Sequence, residues 1–281
     1  MRRYRFEGGT AVVTGAASGI GAALATALAA RGSHLVLVDR DAEGLARVAE
    51  NVGTTCPVRI ATYVVDLADR AAAERIGGVL AAAHPDTTLL VNNAGVALGG
   101  LFTQVGAEQF DALLAVNLHA VVTLTRALLP VLTANPGSHL VNLSSVFGIL
   151  APAGQTAYCT SKFAVRGFTE SLRAELAPVG VGVTCVHPGG VRTNIARNAT
   201  VGVGLPPDLA RAGLTQAERL LTLDPAVAAE TILRAVRRRR LRVLVGRDAV
   251  VLDALVRLLP VTHRRLFAAL TRVATRRAVR S

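Results

Sequence analysis

The chain has 281 residues, 31 basic and 19 acidic, for a formal charge of +12. An apolar fraction of 51% with 18% charged residues excludes a disordered chain. Cys56, Cys159 and Cys185 are too few and too scattered for a disulfide framework or a cysteine-based zinc site, and they fit a reducing, cytoplasmic compartment. The charge is unevenly placed: residues 1–233 hold 17 basic and 17 acidic side chains, whereas 234–281 hold 14 arginines against Asp248 and Asp253. A neutral body therefore carries a basic end, and the two need separate explanations.

The basic start, Met1-Arg2-Arg3-Tyr4-Arg5, precedes an uncharged run from Gly8 to Ala30 that superficially resembles a targeting leader or a membrane span. Five glycines, Thr10, Thr14, Ser18 and Thr26 interrupt the run, and its period changes partway. It is read as a strand, a turn and a helix. Further along, β-branched or Leu/Val runs near 10–14, 34–39, 58–65, 88–92, 138–143, 181–186 and 241–245 alternate with helical patterns near 19–31, 41–51, 69–82, 107–133, 156–177 and 225–238. Nearly continuous apolar strands separated by helices predict an α/β fold: a doubly wound, mostly parallel seven-stranded sheet with helices on both faces. We expect one domain over 1–246, with an irregular, Pro/Gly-containing substrate lid at 190–222, followed by a basic amphipathic tail at 247–281.

Thr14-Gly-Ala-Ala-Ser-Gly-Ile-Gly21 follows the first strand and opens the first helix. Glycines at 15, 19 and 21 permit a tight turn and close approach of backbone to a pyrophosphate, which the helix N-terminus attracts. Asp39 ends the second strand; a carboxylate there accepts both adenosine ribose hydroxyls and repels a 2′-phosphate, which favours NAD(H) without excluding NADP(H). Its alternative duty is to cap the helix beginning near Asp41, and Arg40 beside it can stack on adenine or meet a phosphate. Asp66, after the third strand, either accepts from the adenine amino group or caps the helix near Asp69.

Tyr158-Cys-Thr-Ser-Lys162 places a phenol and an ammonium at i and i+4, on one helix face. The cation is expected to favour phenolate and lower the tyrosine pKa. Lys162 is the only lysine among 31 cationic side chains, which points to a chemical need that a planar guanidinium does not meet. Asn92-Asn-Ala-Gly95, Asn142-Leu-Ser-Ser145 and Pro188-Gly-Gly-Val-Arg-Thr193 close the fourth, fifth and sixth strands, where open sheets bind ligands. Asn117 lies mid-helix, a poor place for Asn unless it has a hydrogen-bonding duty. His187 and Cys159 are read as packing residues.

These pieces, in this order and spacing, make the chain resemble a short-chain dehydrogenase/reductase of the common type, over roughly residues 8–245. By that resemblance Tyr158 is the general acid/base, Ser145 orients the carbonyl or alcohol, Lys162 binds the nicotinamide ribose, and Asn117 supports a water in proton relay. The resemblance implies cofactor contacts from Gly15, Ser18, Gly19, Ile20 and Gly21 in the turn and from Asp39, Arg40, Asp66 and Leu67 beyond the next two strands. It adds Asn93, Ala94 and Gly95, then Tyr158 and Lys162, and finally Pro188, Gly189, Val191 and Thr193. No metal is expected. Apolar wall candidates Val96, Leu98, Phe147, Leu150, Ile195 and Leu205 imply a lipophilic secondary alcohol or ketone. The expected assembly is a homodimer or homotetramer. The tail can touch an anionic membrane, or its apolar face can pack on the body or on a partner subunit with its arginines solvated, and its composition argues against nucleic acid. A nucleotide-binding scaffold that uses its tail to reach a partner is the alternative to an enzyme.

Overall fold

A computed structural model describes residues 3–263. In chain order the elements are β1 (Thr10–Thr14), α1 (Gly19–Ala29), β2 (His34–Asp39), α2 (Ala42–Gly53), β3 (Ile60–Val64) and α3 (Arg70–Ala83). Then come β4 (Thr87–Asn92), the two-residue β5 (Leu98–Gly99), α4 (Ala107–Leu114), α5 (Ala120–Ala134), β6 (His139–Leu143) and α6 (Thr156–Leu176). The chain continues through β7 (Gly182–Pro188), β8 (Thr200–Val201), α7 (Pro207–Leu220), α8 (Pro225–Arg237), β9 (Arg242–Val245) and α9 (Arg247–Leu258). The main sheet has seven parallel strands in the order β3-β2-β1-β4-β6-β7-β9, the doubly wound arrangement expected.

Period-two alternation sends neighbouring strand residues to opposite cores. Val13, Leu89, Val91 and Val141 pack with Leu24 and Leu28 of α1 and Ile232 and Leu233 of α8. Val12, Leu90 and Leu140 face the other way, onto Leu80 of α3, Leu124 and Leu128 of α5 and Leu176 of α6. Because both faces are covered, the strands carry little polar punctuation, and their boundaries lie close to those the sequence predicts.

Three regions depart from the expected pattern. The helix expected over 107–133 contains a π turn at Ala115–His119, which separates α4 from α5 and carries Asn117. Ala107–Ala134 is also the one helical stretch among the described residues long and apolar enough to cross a membrane; here Asn117, Leu124 and Leu128 are buried in the protein. The segment 190–222 is not irregular throughout, since it contains the 14-residue α7. Only Ala210, Leu214 and Ala217 of that helix turn inward, while Leu209 and Leu220 are exposed. Finally, α9 packs on the body through buried Ala249 and Asp253. The second helical pattern of the tail, near Leu266, Phe267, Leu270 and Val273, lies outside the described residues.

The α9 contact is electrostatic as well as apolar. Asp253 accepts from both terminal nitrogens of Arg242, on β9, at 2.5 and 2.9 Å, and from Arg257 Nε at 3.0 Å. The Arg242 guanidinium holds the Asp253 carboxyl below the usual carboxylate range despite its burial. Asp253→Ala leaves Arg242 without its acceptor. It is expected to cost roughly 2–3 kcal/mol, between the values for exposed and fully buried pairs, read as a lower urea midpoint with earlier proteolysis in α9.

Candidate active site

The sheet order reverses beside β1, and the crevice at the carboxyl ends of β1, β4, β6 and β7 collects the predicted residues. At β1, Gly15 and Gly19 have φ of 65° and 56°, left-handed values that favour glycine. A Cβ on Gly21 would stand 2.0 Å from Gly15 O, and one on Gly19 2.8 Å from Thr193 Cγ2. The glycines are thus demanded by close backbone approach within the protein, and the turn they form opens onto α1. Ser18, at the N-cap position of α1, makes no side-chain cap, and the first turn holds no acid. Its amides are left to an external acceptor, which fits a pyrophosphate.

Thr14 and Asn93 lock this turn to β4. Thr14 Oγ1 accepts from Asn93 N and Ala94 N, both at 3.0 Å, while Asn93 Nδ2 donates to Thr14 O and Gly15 O at 2.9 and 3.0 Å. Thr14 was not singled out from the sequence, although its place ahead of Gly15 was the available signal. Asp39 stands half-buried at the end of β2, accepting from Ala17 N at 3.0 Å and from Asp41 N at 3.1 Å. Asp41 caps α2 and Asp69 caps α3, so the helix-cap readings of Asp39 and Asp66 are set aside. Asp66 instead accepts from Ala68 N within its own turn, with Leu67 buried beside it and Arg40 exposed.

Ser145, Tyr158, Lys162 and Asn117 converge at the ends of β4 and β6. Ser145 heads a short 3-10 turn, and its Oγ accepts from Phe147 N at 3.1 Å. Its neighbour Ser144 turns away and donates to Lys162 O at 2.8 Å. Lys162, 4% exposed, donates through Nζ to Leu143 O at 3.0 Å and lies 5.6 Å from the Tyr158 ring centroid. Asn117 binds both backbone groups of Val96: Oδ1 accepts from its N at 2.8 Å and Nδ2 donates to its O at 2.9 Å, as a neighbouring strand would. Nδ2 also donates to Ser161 Oγ at 3.1 Å, tying α6 to the same point. A π turn at Asn117 therefore has a use, consistent with π turns clustering at functional sites. A Cβ on Gly95 would stand 3.3 Å from Asn117 Oδ1 and 3.4 Å from Lys162 Nζ, so Gly95 keeps those two groups together.

The electrostatics reverse one expectation. Burial pushes the Tyr158 phenol up to about 12, with the Ser145 side chain pulling the other way, and pushes the Lys162 ammonium down to about 8. Burial is the largest cause at both groups, and it disfavours the charged form of each. His187 is held near 4 by burial while its Nδ1 bonds Ser145 O at 3.0 Å, so it supports the Ser145 backbone as an uncharged ring. Burial also raises Cys159 to about 11, the state of a packing thiol rather than a nucleophile.

Four of the predicted wall residues, Val96, Leu98, Phe147 and Ile195, belong to one apolar cluster with Tyr158, whereas Leu150 and Leu205 stand outside it. Phe147 meets the Tyr158 ring edge-on at 6.1 Å. Pro188, Gly189, Val191 and Thr193 follow β7, and Thr193 lies over Gly19, which closes the crevice from β7 back to β1. Arg192, in the same loop, points elsewhere and pairs with Asp224 at 3.0 Å.

The family model described as short chain dehydrogenase matches residues 9–202. SadH of Mycobacterium tuberculosis, named as an oxidoreductase, is 40% identical over 273 residues, covering 94% of this chain and 95% of SadH. A short-chain dehydrogenase/reductase from Burkholderia phymatum solved with NAD superposes with a TM-score of 0.82 at 28% identity, covering 93% of this chain and 97% of that one. One from Sphingobium yanoikuyae solved with NADPH gives 0.71 at 30% identity, covering 89% and 94%. Fold, motif order and relatives agree, and the chain belongs to the short-chain dehydrogenase/reductase family.

Proposed function

We propose that this chain is an NAD(H)-dependent oxidoreductase that interconverts a lipophilic secondary alcohol and its ketone, with Tyr158 as general acid/base. The observation that carries the reading is a buried phenol set beside the Lys162 ammonium, which lies 5.6 Å from the ring centroid, and within the apolar cluster of Val96, Leu98, Phe147 and Ile195. In the reducing direction Ser145 Oγ donates to the ketone oxygen while the Tyr158 hydroxyl gives its proton to that same oxygen. In the oxidising direction the phenolate takes the alcohol proton back. The nicotinamide cofactor, when bound, supplies or accepts the hydride at the carbinol carbon. A phenol raised to about 12 is protonated at neutral pH and so holds the proton the first direction needs; in the second its phenolate needs a cation nearby, a role that falls to Lys162.

Proton return from Tyr158 is assigned to Lys162 and a water supported by Asn117. Preference for NAD(H) rests on Asp39 and on the absence of a basic residue from the Gly15–Gly21 turn; the NAD and NADPH complexes of the two structural relatives show the family using either. The segment 190–222, with α7, serves as the substrate lid. Free, buried Cys159 and Cys185 suit a reducing compartment, the cytoplasm. A homodimer or homotetramer is the expected assembly.

Two experiments test this reading. Tyr158→Phe is expected to lower turnover of lipophilic ketones by at least ~100-fold, the usual contribution of a positioned general acid, while NADH still binds in a fluorescence titration. Full turnover in that variant, or turnover confined to small polar polyols, would overturn the proposal; tighter binding of NADPH than NADH would overturn the cofactor preference.

Lys162 gives the second test through stability. Its folded pKa, about 8, lies below the ordinary 10.5, so between those values the unfolded chain holds the extra proton and folding stability rises with pH. Below pH 8 the buried charge costs its full amount. Lys162→Met is therefore expected to raise stability at pH 7 by about 1–3 kcal/mol while abolishing turnover. Its advantage over the wild type should shrink toward pH 10 in melts of the two proteins.

A further inference from the structure

We propose that Asp248, in the first turn of α9, is a positioning residue for the nicotinamide end of the site, which makes the C-terminal helix part of the cofactor-binding machinery. This rests on the function proposed above, and it concerns a residue outside the dehydrogenase motifs.

The Gly189–Gly190 peptide is held on every side. Gly189 N donates to Val245 O at 2.8 Å, and Gly190 N donates to Asp248 Oδ2 at 2.6 Å. Gly190 O accepts from Thr222 N and Leu223 N, both at 2.9 Å, and Arg192 N donates to Leu223 O at 2.7 Å. Both ends of the 190–222 segment therefore meet at one neck, and Asp248 grips that neck from α9. The glycines are obligatory for this contact. A Cβ on Gly189 would lie 2.1 Å from Asp248 Oδ2 and 2.4 Å from its Cγ, and one on Gly190 would lie 2.0 Å from Leu220 O. Gly246, at φ 102°, brings the helix into place: a Cβ there would lie 2.3 Å from Asp248 Oδ1.

From this neck the chain runs directly through buried Val191 to Thr193, which covers Gly19 of the phosphate turn. A shift at Gly190 is thus passed to the wall that faces the nicotinamide half of a cofactor, and misplacement of a binding wall by ~1 Å can be costly to turnover. The adenosine half, at Asp39 and Asp66 beyond β2 and β3, lies on the other side of the switch point and does not depend on the neck. A purely structural duty for Asp248 also exists, since an acid in a first helical turn favours the helix. The two duties differ in what they weaken.

The test measures NADH and adenosine binding, melting temperature, and turnover in the full chain. Adenosine carries neither the pyrophosphate nor the nicotinamide. Asp248→Ala is expected to weaken NADH binding and kcat/KM roughly tenfold, the scale of one charge-assisted hydrogen bond, with adenosine affinity unchanged. Asp248→Asn keeps an acceptor and should stay near the wild type. Gly189→Ala should show the same selective loss, and the double variant Gly189→Ala/Asp248→Ala should be no worse than Asp248→Ala, because removing the carboxylate makes room for the methyl group. Equal weakening of NADH and adenosine, no weakening of either, or additive losses in the double variant would overturn the proposal. Should Asp248→Ala not fold, Asp248→Asn and Gly189→Ala decide it alone. A wild-type chain that binds neither NADH nor NADPH overturns the cofactor reading instead.

Discussion

One buried ammonium constrains the rest of the site. Lys162 is almost fully enclosed, and the group it donates to is the backbone carbonyl of Leu143 rather than a carboxylate. A carbonyl offsets only part of the cost of taking a cation out of water, which is why burial drags the ammonium down to about 8. Its surroundings have no slack: Gly95 leaves no Cβ between Asn117 and Nζ, and Ser144 binds the carbonyl of Lys162. A Cβ on Gly148 would collide with both Ser144 Oγ and Lys162 O. A guanidinium, wider and with five donors to satisfy, has no place there. In a chain that otherwise uses arginine throughout, the single lysine marks the one position where the shape of the cation decides.

Beneath that cation lies a row of buried polar groups that joins the strands where the site forms. Asn92 Nδ2 donates to Asn142 Oδ1 at 2.8 Å and to Thr125 Oγ1 at 3.1 Å, and Asn142 Nδ2 donates to Thr169 Oγ1 at 3.0 Å. The row fixes β4 to β6 and both to α5 and α6, the four elements that supply Gly95, Ser145, Asn117 and Lys162. Buried amides of this kind are costly when unmatched and directional when matched. They set the register of the strand ends to within a hydrogen bond, which an apolar core cannot do.

How much of this was legible follows from the physics of each signal. The seven strands and the helices that cover both sheet faces show as apolar runs, and the motifs read correctly because each needs particular residue types at particular strand ends. The π turn at Asn117 inserts one extra residue without changing composition, so only the odd placement of an Asn hinted at it. Helix α7 hid behind Gly202, Gly204, Pro206 and Pro207, which read as irregular chain, and its Leu209 and Leu220 face solvent rather than the body. Spacing brought Tyr158 and Lys162 onto one face, yet spacing carries no dielectric; whether the cation or the burial dominates depends on how much water both groups lose. The caps at Asp41 and Asp69 were ambiguous by two and three residues, at or just beyond the ordinary uncertainty of helix starts.

The basic end changes meaning once its acids are placed. Among residues 234–281 only Asp248 and Asp253 are acidic, and each makes a contact that no arginine can. Asp253 gathers Arg242 and Arg257 and seats α9 against β9; Asp248 then stands within reach of the Gly190 amide. The two contacts lie at opposite ends of α9, Asp248 in its first turn and Asp253 with Arg257 toward its end, so the helix is held to the sheet along its length. The net charge of +12 is a property of the surface, whereas the two negative charges set within it bind the last described helix to the catalytic body. The part of the basic end that forms α9, Arg247–Leu258, is thus packed on the neutral body through both acids.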